Sequence, residues 1–211
     1  MESVEFFLIA AAAVVFAGIS KGGFGSGAAF VAAAVLASII DPRQAIGLML
    51  PLLMLMDMSS LKPYWGKWLK KDSLYLCVGG MPGVALGFWF YNLADANILR
   101  LLIGVISLLF VLWHAMQVCD LVPTAKEKFP PWVAGLTGLA AGFTSFVSHA
   151  GGPPAAIYLL SAKPSKTEYQ ATTVIVFWVI NIAKALPYGF LGLFTWDTIK
   201  FNFILAPFAL L

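Results

Sequence analysis

Two stretches of this chain set small, polar and charged residues against apolar surroundings. They read Ser20-Lys21-Gly22-Gly23-Phe24-Gly25-Ser26-Gly27 and Ser145-Phe146-Val147-Ser148-His149-Ala150-Gly151-Gly152-Pro153-Pro154. Each precedes another apolar run, so each stands where a helix would begin. The free N–H groups and positive dipole end of such a start favour an anion. Glycine lets the backbone itself approach a ligand, and proline suits a first helical turn. Lys21 would supply charge, and Ser20, Ser26, Ser145, Ser148 and His149 would orient an oxyanion by hydrogen bonds. With Gly22, Gly23, Gly25, Gly27, Gly151 and Gly152, these residues form the candidate binding set for a small anion.

A second set lies inside apolar runs. An ionised Asp57 or Lys184 at a helix centre in lipid costs roughly 2.5–3.5 kcal/mol, so each must face the interior and find a partner. Asn181, Lys184 and Tyr188 share a helical face at i, i+3 and i+7, extended by Thr173 and Gln170. Asp57, Ser60 and Tyr64 repeat that spacing. Asp57, Tyr64, Asn181, Lys184 and Tyr188 are the candidate gating or coupling residues. Plainer roles compete with these assignments. The glycines can serve close helix packing, Lys21 can snorkel to an interface, and a buried histidine is commonly bonded to a carbonyl. Asp57 and Lys184 can form structural ion pairs near a span's end, and Arg43, after Asp41-Pro42, reads as a loop charge.

The elements that must carry these residues follow from composition. With 61% hydrophobic and 11% charged residues and a mean hydropathy of +0.89, the chain is not a soluble domain. An all-α, polytopic membrane protein is expected. The opening Met-Glu-Ser-Val-Glu-Phe-Phe has two glutamates and no basic region, so a secretory signal is not expected and the first helix stays. Cys77 and Cys119 have no metal-ligand spacing and read as buried free thiols. The net charge of +3 bears on membrane orientation rather than on nucleic acid. Enzyme readings fare badly. Asp57 is the one acidic residue well inside a span, His114 and His149 form no HExxH motif, and no P-loop is present. No catalytic residue, metal or cofactor is expected.

Sliding the chain against itself by 124 residues aligns Ala17-Gly18-Ile19-Ser20 with Ala141-Gly142-Phe143-Thr144 and superposes both glycine breaks. It also carries Leu36 onto Leu160, Pro63 onto Pro187, and Asp57, Ser60 and Tyr64 onto Asn181, Lys184 and Tyr188. Two structural repeats are read from this offset. Residues 4–40 as one helix would need on the order of 55 Å, more than a bilayer core. Each break is therefore expected to turn a helical hairpin. The first repeat, 1–120, holds a hairpin at about 4–40 and spans at about 44–60, 73–91 and 98–117. The second, 131–211, holds a hairpin at about 131–162 and spans at about 169–187 and 198–211. A hairpin plus three spans crosses an odd number of times, which inverts the second copy. The lysines agree: Lys62, Lys67, Lys70, Lys71, Lys126, Lys128, Lys163 and Lys166 then gather on one face, the cytoplasmic one, leaving the N-terminus outside it. The offset also implies about 30 further residues, including a last helix, beyond Leu211.

The glycine breaks, Asp41-Pro42-Arg43-Gln44-Ala45-Ile46-Gly47, and the run from Gly151-Gly152-Pro153 through Tyr158-Leu159-Leu160 to Ala171-Thr172 and Asn181-Ile182-Ala183-Lys184 resemble the sulfite exporter TauE/SafE family. The likeness extends over essentially the whole chain. It implies a bacterial inner-membrane exporter of sulfite or an organosulfonate, where the residues alone indicate only a small anion. The expected function is thus a secondary transporter working by alternating access, with an anion channel or a carrier of another small anion as alternatives. Its expected partners are the anionic substrate, the lipid bilayer and, optionally, a second copy of the chain.

Overall fold

The computed structural model describes residues 4–23, 30–119, 121 and 127–210. Among these, all regular structure is helical: α1 (Val4–Gly23), α2 (Phe30–Ile39), α3 (Pro42–Tyr64), α4 (Lys70–Leu93), α5 (Ala96–Val118), α6 (Pro131–Ser148), α7 (Gly152–Ser161), α8 (Lys166–Phe190) and α9 (Trp196–Ala209). Five helices, α1, α3, α4, α5 and α8, are long and apolar enough to cross a membrane. The chain is a multi-pass membrane protein.

Helix starts are set by local chemistry. Asp41 caps α3 through Arg43 N–H with Pro42 at its first position, Asp95 caps α5 through Ile98 N–H, and Thr195 caps α9 through Thr198 N–H. Ser165 and Glu168 form a reciprocal capping box at α8. Arg43 is therefore a helical residue and not a loop charge. Its guanidinium donates to Ala94 O at 3.0 Å and lies 5.4 Å from the centre of the Tyr91 ring.

The limb before the first break has 20 helical residues, about 30 Å of helix. Lys21 thus belongs to the last turn of α1. The helix persists because its final carbonyls, which have no amide four residues ahead, are taken by side chains. Gln170 Nε2 donates to Lys21 O, and Tyr64 Oη donates to Gly22 O at 3.3 Å.

α4 and α6 pack backbone to backbone. A methyl group added at Gly83 would stand 2.1 Å from Leu139 O, and one at Gly142 would stand 2.2 Å from Gly80 O. Small residues permit this approach where lipid offers no hydrophobic drive for helix association. At one end of the bundle, Tyr158 Oη and Lys128 Nζ reach the buried Asp72 at 2.7 Å each, and Leu69 N–H donates to Thr172 Oγ1 at 3.0 Å. The loops rich in lysine are tied together there. At the other end, Arg43 reaches Ala94, and Arg100 Nε donates to Ala37 O at 3.4 Å.

Pro63 and Pro187 lie inside α3 and α8, each one residue before a tyrosine. Neither can donate to the carbonyl four residues earlier, that of Ser59 or of Ala183. The thiols differ from expectation: Cys77 is half-buried and Cys119 is exposed, because Cys119 follows the last turn of α5 and is not enclosed by other helices.

Candidate functional site

The buried ionisable residues converge between α1, α3, α6 and α8. Lys21 Nζ lies 2.8 Å from Asp57 Oδ1 and also donates to Leu53 O at 3.2 Å. The second carboxylate oxygen, Oδ2, accepts from Asn181 Nδ2 at 2.7 Å. Lys184, fully buried, directs Nζ to Ser145 O and Ser145 Oγ at 2.9 Å each and to His149 Nδ1 at 3.0 Å. His149 Nε2 is 3.0 Å from Ile46 O. A carbonyl only accepts, so the imidazole carries a proton on Nε2.

Two lysines and one carboxylate are buried here, and only Lys21 is paired with the carboxylate. The other buried acid among the described residues, Asp72, is committed to Lys128 and Tyr158. Lys184 holds neutral acceptors and the carbonyl end of α6, where the helix dipole favours a cation. The cluster thus holds two buried lysines and one buried carboxylate, and a bound anion would favour the charged form of both lysines.

The two tyrosines act alike. Tyr64 Oη donates to Gly22 O, and Tyr188 Oη donates to Phe146 O at 2.5 Å. Donors and acceptors are each 124 positions apart, so the same bond recurs at the end of α1 and at the end of α6. His149 follows α6 with φ of 57°, a left-handed conformation that usually selects glycine. Its ring is held on both nitrogens, which compensates that strain.

A cavity of about 470 Å³ reaches both breaks: Ser20 on one side, Gly152 and Pro153 on the other. The buried Ser20 Oγ has no hydrogen-bond partner among the described residues. The residue 124 positions on, Thr144, donates to Ala140 O and Ala150 O at 2.8 and 3.0 Å. An unpaired hydroxyl buried beside a cavity is a donor awaiting a ligand. The start of α7 adds its dipole, although Pro153 and Pro154 have no N–H and the amides able to donate are those of Gly151 and Gly152. Gly151 also serves packing, since a methyl there would come within 2.6 Å of the Phe177 ring and 2.7 Å of Ala141 O.

The structure therefore brings together Lys21, Asp57, Asn181, Lys184, Ser145 and His149, with Ser20 and Gly152 on the cavity. Ser148 donates to Thr144 O at 2.9 Å within its own helix. Gly22 and Gly23 end α1, while Gly25, Ser26 and Gly27 lie outside the described residues. Sequence reasoning missed the far wall of the cavity, formed by Phe110, Trp113, His114 and Gln117 of α5. Their spacing, i, i+3, i+4 and i+7, marks one helical face carrying two polar residues inside an apolar run, and that signal could have found them. Tyr169, which borders the same cavity, has no such signal.

Fold and site together define a helical multi-pass membrane protein with two interrupted helix pairs around a buried cluster of two lysines and one carboxylate. The chain belongs to the sulfite exporter TauE/SafE family, whose model matches residues 10–211. No curated protein and no solved structure matches it.

Proposed function

We propose that this protein is a secondary transporter exporting a small sulfur-containing anion, sulfite or an organosulfonate, by alternating access between two inverted halves. The observation that carries the reading is the buried cluster of two lysines and one carboxylate formed by Lys21, Asp57 and Lys184. Ser20, next to Lys21 in α1, and the start of α7 line a cavity, and the Ser20 hydroxyl has no partner among the described residues. The anion enters as a counter-charge. Ser20 and the Gly151 and Gly152 amides orient it, Lys21 and Lys184 attract it, and Asp57 and Asn181 hold the lysines and couple the halves. Membership of a family of sulfite exporters supports the sulfur oxyanion. The gathered lysine loops support a cytoplasmic assignment for their end, with the N-terminus periplasmic in a bacterial inner membrane.

The test is a thermal-shift screen of the purified protein against sulfite, sulfate, taurine, sulfoacetate and phosphate, followed by flux in proteoliposomes. Only a ligand that prefers the native state raises its stability. Sulfite or a sulfonate should raise Tm and show saturable flux with counterflow, and Lys21→Met should abolish both. Channel-like flux without counterflow, or no response to any anion, overturns the reading.

A further inference from the structure

The cavity that meets Ser20 and the start of α7 holds about 470 Å³, within the range of about 300–1,000 Å³ typical of pockets for organic ligands. It is also elongated. Its wall on α7 runs from Gly152 to Leu160 and its wall on α5 from Phe110 to Gln117, separations of eight and seven residues, or roughly 12 and 10 Å at 1.5 Å per residue. α5 leads toward Lys126 and Lys128 and α7 toward Lys163 and Lys166, so the long axis follows the bundle toward the lysine-bearing end. An inorganic oxyanion fills only a part of such a space.

What lines the length of the cavity is aromatic. Phe110 and Trp113 of α5 border it together with Phe16 of α1 and Tyr169 of α8. The α5 wall is held by ring contacts: Phe110 meets the buried Phe30 edge-on at 4.6 Å and carries the His114 ring stacked on it at 6.0 Å. Rings fixed in advance lose little further freedom when a ligand lies against them. Polar groups are few and separate. They are the Ser20 hydroxyl, which has no partner among the described residues, the start of α7, and His114 and Gln117 in the last two turns of α5, whose side chains make no hydrogen bond among the described residues. Apolar walls with a small number of orienting polar groups are the make-up of a site for an organic molecule.

We propose that Phe16, Phe110, Trp113 and Tyr169 form an apolar subsite for the hydrocarbon body of an organic sulfonate, and that an anion with such a body is a better ligand than inorganic sulfite. This rests on the transport reading above and narrows its substrate class. The sulfonate group is held by Ser20 and the Gly151 and Gly152 amides, and the carbon chain lies along the α5 rings toward His114 and Gln117. Each methylene that leaves water for this wall adds a similar increment of binding, so affinity grows with chain length until the wall ends.

The experiment titrates the purified protein with sulfite and with the straight-chain alkanesulfonates from methanesulfonate to hexanesulfonate. Kd is read from the rise in Tm and, in proteoliposomes, from competition with sulfite flux. It should fall about fourfold per methylene. Trp113→Ala should flatten that dependence. Phe16→Ala, on a different helix and with a side chain already 47% exposed, should flatten it too and covers the event that Trp113→Ala does not fold. Leu108→Ala, 59% exposed on the outer face of α5, should keep the dependence. Alkyltrimethylammonium ions of the same chain lengths should not compete. The subsite is overturned if chain length leaves Kd unchanged, if Trp113→Ala and Phe16→Ala both retain the full dependence, if Leu108→Ala loses it as they do, or if the ammonium series binds equally well, which would mark a crevice for any lipid-like chain. Failure of every anion, sulfite included, to bind or to move overturns the transport reading instead, and the subsite with it.

Discussion

Asn181 Nδ2 donates to Asp57 Oδ2 at 2.7 Å, and the two residues are 124 positions apart. The bond joins α3 to α8, with the Lys21 ammonium closing the other side of the carboxylate. Removing one partner of a buried ion pair leaves the other uncompensated, which costs about 3–5 kcal/mol. Asp57→Leu and Lys21→Met should each lower Tm strongly in detergent melting curves, and the double change Asp57→Leu with Lys21→Met should be less harmful than the sum of the singles. Strict additivity would show that the pair contributes no coupling.

Lys184 differs because its acceptors are neutral. Taking away its charge also takes away a desolvation cost, so Lys184→Met should change stability by less than about 2 kcal/mol. Anion-induced stabilisation should nevertheless disappear. A variant that melts normally and still responds to sulfite would exclude Lys184 from binding.

Ser20→Ala should produce two effects of opposite sign. The buried hydroxyl has no partner among the described residues, and relieving an unsatisfied group of this kind is worth about 1–3 kcal/mol. The ligand-free protein should melt higher while its shift with sulfite shrinks. A lower Tm without ligand would mean that the hydroxyl is satisfied in the folded protein.

The contact of α4 with α6 depends on glycine at particular places. Gly83→Ala or Gly142→Ala puts a methyl about 2 Å from a backbone oxygen, and relieving that clash by parting the helices should cost about 1–3 kcal/mol or more. Gly104→Ala, with nothing within 4 Å of the added carbon, serves as the control. Expression and melting of the three variants in parallel decide the matter.

Asp72 offers a graded comparison. Its carboxylate is buried and holds both Tyr158 and Lys128, whereas the Lys128 side chain is 49% exposed. Lys128→Ala should cost no more than about 1 kcal/mol, as for exposed pairs, while Asp72→Ala strands the Tyr158 hydroxyl and should cost more. Equal effects would place the stabilisation in the ion pair and not in the tyrosine bond.

Much of this arrangement was legible in the residues. The helical class follows from the apolar runs, and the α8 face of Gln170, Thr173, Asn181, Lys184 and Tyr188 is buried as its spacing requires. What spacing along one helix does not contain is the distance to another. That Lys21 neutralises Asp57, while Lys184 turns to Ser145 and His149, depends on how α1, α3, α6 and α8 are arranged around one another. The end of α1 is not legible for a related reason: Gln170 and Tyr64, remote in the chain, take the carbonyls of Lys21 and Gly22 at its last turn. Cys119 was misjudged because an apolar run predicts membrane residence and not enclosure by protein.

The prolines ahead of Tyr64 and Tyr188 bear on the mechanics of the bundle. With no amide reaching back to Ser59 or Ala183, the final stretch of each span can flex without tearing a backbone bond. One such joint lies near the end of each of these two spans, and each carries a tyrosine whose hydroxyl grips the neighbouring interrupted helix. A small bend there is delivered to that helix end as a lever delivers a push.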